Sequence, residues 1–291
     1  NMVKKSFGSK AADIVVYLVL FLFALICLYP FWYVLSVSLT SYKAYMETPI
    51  LLYPKDITFS AYEIIKEPDL SRSALLTVFI VTVFTVLHTF LCLITAYPLS
   101  KKYLPGRNTM LLTVVLPMVF SGGIVPTYLV MRDLHLINTI HILILAGLFS
   151  GFNIVLMKNF LGQIPQTLEE AAKIDGAGDL RILFGIYMPL SLPIIASIAL
   201  FSAVTKWNDY FTALMYVTKS ELYPLQNVLR SMIIEGNVDV SGGGFTDSEN
   251  LTLLISVKMA VIIIATVPIV CIYPFVQKHF VKGMLIGSVK G

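Results

Sequence analysis

Glu169, Glu170, Lys173, Asp175, Asp179 and Arg181 crowd into one short stretch of an otherwise apolar chain. Such a cluster can grip a partner through ion pairs and hydrogen bonds. A second set, Lys206, Trp207, Asn208, Asp209 and Tyr210, interrupts a long apolar run. Hydrogen-bonding groups beside aromatic faces suit sugar recognition. The i,i+3 spacing of Lys206 and Asp209 equally allows an internal ion pair that only ties helices together. His88, between Thr85 and Thr89, is a third polar position in an apolar run. Polar groups at membrane depth are costly and turn to a cavity or a neighbouring helix. Nothing here reads as catalytic. The four histidines are scattered, and Cys27, Cys92 and Cys271 sit in apolar runs without CxxC spacing, as small buried hydrophobes do. No GxxxxGK[ST] phosphate loop occurs, so the chain has no ATPase site of that kind and no cofactor or metal of its own is expected.

The elements that must position these residues are membrane helices. Of 291 residues, 57% are hydrophobic and only 13% charged, against about 25% charged in soluble domains. About 20 apolar residues cross the hydrocarbon core, and six runs qualify: 14–37, 74–97, 110–131, 139–160, 190–217 and 253–275. The expectation is an all-α, six-span bundle as one domain over 1–291, with an N-tail (1–13), a six-span core (14–276), a loop (161–188) and a C-tail (277–291). The first apolar run lacks a small-residue cleavage site and reads as a retained span. Pro117, Gly122, Gly123 and Pro126 predict a kinked or broken third span lining a pathway; close packing through the small residues is the alternative.

Lysine and arginine set the orientation. The N-tail (Lys4, Lys5, Lys10), the loop after span two (Lys101, Lys102, Arg107), the loop after span four (Lys158, Lys173, Arg181) and the C-tail (Lys278, Lys282, Lys290) are basic. The opposite side mixes signs. Both termini and the loop 161–188 therefore belong in the cytoplasm. Two long outer segments, 38–72 and 218–252, are either solvated loops or a docking surface for an external protein.

Strong helix formers predict a helix over 166–174, with acidic residues in its first turn. Gly176 and Gly178 would close it in the left-handed region, and a second helix would run over 179–187. The product is a compact knob that can seat in a partner's groove and pass on a rigid movement. An interfacial helix lying on the bilayer is the rival reading, but it wants basic and aromatic faces that this segment lacks.

Residues 170–189 read EAAKIDGAGDLRILFGIYMP. The segment resembles the EAA signature of ABC-importer permeases, with Met188 in place of the leucine of Ile-x-Leu-Pro. FSGGIVPTYLVMRDLHLINT (120–139), KWNDYF (206–211) and the end KGMLIGSVKG are similar to the second permease subunit of maltose-type and LplC-type sugar importers. The resemblance implies a coupling helix carried by Glu169, Glu170, Ala171, Ala172, Lys173, Asp175 and Gly176. It implies a C-tail contact with the ATPase through Gly287, Ser288, Val289, Lys290 and Gly291. It also implies the partners: a second permease, two ATPase subunits that bind ATP and Mg, an external solute-binding protein and a carbohydrate, with the chain in the bacterial cytoplasmic membrane. Lys206, Trp207, Asn208, Asp209, Tyr210, Gly122, Gly123 and His88 are the substrate-pathway candidates. Lys206, if unpaired, would suit an acidic sugar such as an alginate fragment. The alternatives are an importer permease for a non-sugar solute and an ion-coupled secondary transporter, for which only Asp209 offers a buried carboxylate.

Overall fold

A computed structural model describes residues 7–47, 51, 53–66, 68–234 and 255–271. Among these residues there is no strand; the nearest approach is one isolated antiparallel bridge, Thr40 to Ile57. Two helices are long and apolar enough to cross a membrane singly. The first lies in α1 (Phe7–Ser38), which runs unbroken through Pro30; the second is α3 (Pro68–Ser100). Two further candidates, each a broken span or a re-entrant loop, are bent pairs: α4 (Arg107–Val119) with α5 (Ile124–Asp133) at 114°, and Asp179–Leu190 with α11 (Leu192–Trp207) at 80°. The expected fourth span is divided into α6 (Ile140–Leu145) and α7 (Gly151–Leu161). The expected sixth appears as an apolar helix over Ile255–Cys271. Among the described residues there are therefore two unbroken helices long and apolar enough to cross a membrane, or up to four spans if each bent pair counts as one.

The chain divides into two compact units, residues 1–67 with 229–266, and 68–228 with 267–291. In the first, α1 leads into the short α2 (Tyr42–Glu47). The Thr58 amide bonds the Leu39 carbonyl at 2.9 Å, and Ser38 and Tyr62 share a 2.8 Å hydrogen bond.

The second unit is built on α3, which packs against α7, α11 and α6. Two separate apolar cores clamp it. One joins Leu93, Ala96 and Tyr97 of α3 to Met157 of α7, Ile182 and Ile198. The other joins Ile80 of α3 to Ile142 and Leu143 of α6 and to Ala213 and Val217 around α12 (Phe211–Tyr216). Lipid is as apolar as these side chains, so close packing rather than expulsion of water holds them. Gly151 shows how close: a Cβ there would lie 2.5 Å from the Val114 carbonyl oxygen. Polar side chains occupy α3 between the two cores.

Candidate functional site

The loop after α7 carries α8 (Gln166–Ile174), a helix with the predicted bounds. Its end is a Schellman closure: the Ala177 amide bonds the Ala172 carbonyl at 2.9 Å and the Gly176 amide bonds the Lys173 carbonyl at 3.0 Å. Gly176 sits at φ +78°, as the sequence predicts. Gly178 does not: it is extended and leads into α9 (Asp179–Ile182). The second stretch is not one regular helix either. A π-helical turn, Leu183–Tyr187, inserts before α10 (Met188–Leu190).

Glu169 anchors this knob. It is 3% exposed while its neighbours on α8 face outward. Its carboxylate takes four donors. Oε2 accepts from Lys101 Nζ, 68 residues away, and from Tyr187 Oη at 3.0 Å. Oε1 accepts from Tyr103 Oη at 2.8 Å and pairs with Lys173 Nζ at 2.8 Å. Lys101 Nζ also lies 3.7 Å from the centre of the Tyr187 ring and 4.3 Å from that of Tyr97, so cation–π attraction surrounds it. Burial pushes the Glu169 carboxyl upward, but the hydrogen bonds from Lys101, Lys173, Tyr103 and Tyr187 outweigh it and hold the group at about 2. The same carboxylate raises Lys173, which stands at the surface. Lys101 is drawn down instead, because burial costs it more than Glu169 returns. The outer side of the knob is different. Glu170, Ala171, Asp175 and Leu180 are exposed, and Ile174 is 86% exposed. Ile174 belongs to neither of the two apolar cores described above.

The polar belt between the cores is the second feature. His88 is 1% exposed; Nδ1 donates to the Leu148 carbonyl at 2.7 Å and Nε2 accepts from Asn153 Nδ2 at 2.8 Å. Its ring stacks on Phe84 at 5.4 Å. Lys206 is 7% exposed and pairs with Asp209 at 2.9 Å, while Nζ also donates to the Ala146 carbonyl at 3.2 Å. Asp209 is held further by the Thr212 hydroxyl and amide. The space beside Lys206 and Asp209 measures about 10 Å³, room for one water. Lys206, Asp209 and His88, the substrate-pathway candidates, each have an internal partner, and the i,i+3 ion pair that the sequence left as the alternative for Lys206 and Asp209 is formed.

Of the other pathway candidates, Asn208 is exposed with Nδ2 on the Val204 carbonyl, and the Tyr210 carbonyl accepts from Asn227. Trp207 is half-buried. Gly122 and Gly123 lie exposed at the 114° bend, with open space where Gly122 would carry a Cβ. Among the described residues nothing packs closely on Gly122, and the two glycines lie at a bend that makes the helix pair either a broken span or a re-entrant loop. Gly287, Ser288, Val289, Lys290 and Gly291 lie outside the described residues. A cavity of about 400 Å³ between α3 and α11 is lined mainly by apolar groups such as Phe90, Phe184 and Met188, with Thr85 and Thr89 beside them; it suits hydrocarbon better than sugar. Sequence reasoning missed Lys101, Tyr103 and Tyr187 as partners of Glu169, having used Lys101 only as a topology marker.

The described residues form an apolar helical bundle with one internally anchored polar knob. The family model described as "Binding-protein-dependent transport system inner membrane component" matches residues 2–286, and the chain belongs to that family. Membership replaces the ion-coupled transporter alternative. The chain is 42% identical over 289 residues to the polygalacturonan/rhamnogalacturonan transport system permease protein YtcP of Bacillus subtilis (strain 168), covering 97% of this chain and 99% of that one. It is 43% identical over 267 residues to LplC of the same organism, covering 91% and 90%. Its fold is similar, with a TM-score of 0.87 and 34% identity over 96% of this chain and 100% of the other, to a crystal structure of a bacterial ABC transporter involved in the import of the acidic polysaccharide alginate.

Proposed function

We propose that the chain is the permease subunit of an ATP-driven, binding-protein-dependent oligosaccharide importer, and that the oligosaccharide is acidic. Both the YtcP relative and the alginate importer are named for acidic polysaccharides, which supports that class of cargo. In this reading six crossings place both termini in the cytoplasm, and α8 is the coupling helix. A second permease completes the pathway, and two ATPase subunits supply ATP and Mg chemistry that this chain lacks.

The observation that carries the reading is the two-faced knob. Glu169 locks α8 to the base of α3 through Lys101 and Tyr103, and to the helix entering the next span through Tyr187. A push on Ile174 or Ala171 would therefore move both spans as one body. Closing of the ATPase pair would draw the knob inward and bias the bundle toward its outward-facing state. Nucleotide shifts that balance only as far as it binds the two states differently. Lys206 is engaged by Asp209, so charge recognition belongs to other groups, including those of the partner permease.

Reconstitution tests this. Affinity purification of the chain from its native membrane is expected to bring a second permease and an ATPase. In proteoliposomes with the binding protein, a galacturonate or alginate oligosaccharide is expected to stimulate ATP hydrolysis and enter the lumen. Uptake that persists without ATP, or stimulation by amino acids or phosphate alone, would overturn the reading.

A further inference from the structure

We infer that the break between α6 and α7 is a sugar-contact subsite, made of main-chain groups at Gly147 and Phe149 and the Phe149 ring. The inference deepens the oligosaccharide-importer reading and rests on it.

Across residues 146–150 the Ala146 and Leu148 carbonyls turn inward, to Lys206 Nζ and His88 Nδ1. The Ala146 amide bonds Ile142, the Leu148 amide bonds Leu145, and the Ser150 carbonyl accepts from Ile154. The amides and carbonyls of Gly147 and Phe149 have no partner among the described residues. Gly147 is exposed at φ +78° and Phe149 is 56% exposed. Alternation thus pins one set of peptide groups and presents the other.

α7 has eleven residues between the break and the turn toward the knob. That is roughly 16 Å of helix at 1.5 Å per residue, about half of a 30 Å hydrocarbon core. Open, unpaired backbone at that depth is tolerated only where it meets protein or lines water. Two amides and two carbonyls supply both donors and acceptors, which matches hydroxyl groups that do both. The Phe149 ring beside them offers an apolar face for a pyranose. No cation stands exposed in this segment, so the patch reads hydroxyls and ring shape rather than carboxylates. His88 and Lys206 act as positioning residues, fixing the segment by its inward carbonyls.

The test uses the assembled importer with Cys27, Cys92 and Cys271 replaced. Phe149→Cys is expected to react with a membrane-impermeant thiosulfonate, and a galacturonate oligosaccharide is expected to slow that reaction. Phe149→Ala is expected to raise the half-maximal oligosaccharide concentration for uptake about tenfold, the order for losing one apolar contact in a substrate pocket, and Phe149→Tyr to restore most of it. Phe21→Ala, on the exposed flank of α1, serves as the unaffected control. Labelling by a lipid-soluble maleimide alone, no protection by sugar, or an unchanged half-maximal concentration in Phe149→Ala would each overturn the subsite. If the parent complex carries no oligosaccharide at all, the importer reading has failed instead, and the parent assay shows that before any variant is made.

Discussion

Glu169→Gln will uncouple the transporter while leaving the chain in the membrane. The variant keeps the shape of the side chain and removes the charge that Lys101 and Lys173 face. Lys101 is then a buried ammonium without an anion, and breaking such a pair costs about 3–5 kcal/mol. That exceeds what a short α8 can supply alone, so the knob should leave its seat. The expected result is uptake reduced at least about tenfold, since about 1.4 kcal/mol already gives that factor. Adding Lys101→Met to Glu169→Gln should recover part of the loss, because the stranded charge is gone. Equal losses from the single and double variants would refute the anchoring role. The sign of the pH effect follows from the depressed carboxyl. Its folded value, about 2, lies below the ordinary 4.5, so the anchor is complete above about 4.5 and is lost only as pH falls toward 2. Coupling should therefore not vary through Glu169 between pH 6 and 8 (about the physiological range).

The second large effect is expected at Gly176. A Cβ there would meet open space, so crowding is not the issue. The backbone is: φ +78° is a genuine outlier for a β-branched residue, and such strain costs on the order of 1–3 kcal/mol. Gly176→Val should rebuild the turn and tilt α8 away from the path of Asp179–Leu190. Uptake should fall about tenfold for a loss near 1.4 kcal/mol. Gly176→Asn, whose side chain tolerates the left-handed region, should fall least, with Gly176→Ala between them. A series that instead followed side-chain volume would place the defect in packing against a partner.

Local order was legible where the causes are local. Helix formers and a terminal glycine are enough to bound α8, and the i,i+3 spacing already contains the Lys206–Asp209 pair. The bend at Gly122–Gly123 was announced by glycine and proline. The anchor was not legible, because Lys101 and Glu169 are separated by 68 residues and nothing in either neighbourhood names the other. The split in the fourth span was hidden for a related reason. Its sequence, HILILAGLFSGFNIVLM, is mostly apolar and contains no proline. His88 and Lys206, from α3 and α11, hold the freed carbonyls and so stabilise the break. The π-helical turn at Leu183–Tyr187 adds a residue to one turn, which a hydrophobic period does not reveal.

The central claim is that the exposed side of the knob is where force enters. Its most direct test is Ile174→Cys in the assembled complex, paired with single cysteines around the ATPase surface and crosslinked with a short bifunctional reagent. The account predicts a specific crosslink between the Ile174→Cys thiol and the ATPase, whose yield changes when ATP is added. An Ile174→Cys variant that forms no ATPase crosslink in any nucleotide state, and reacts only with lipid-phase or extracellular reagents, would contradict it.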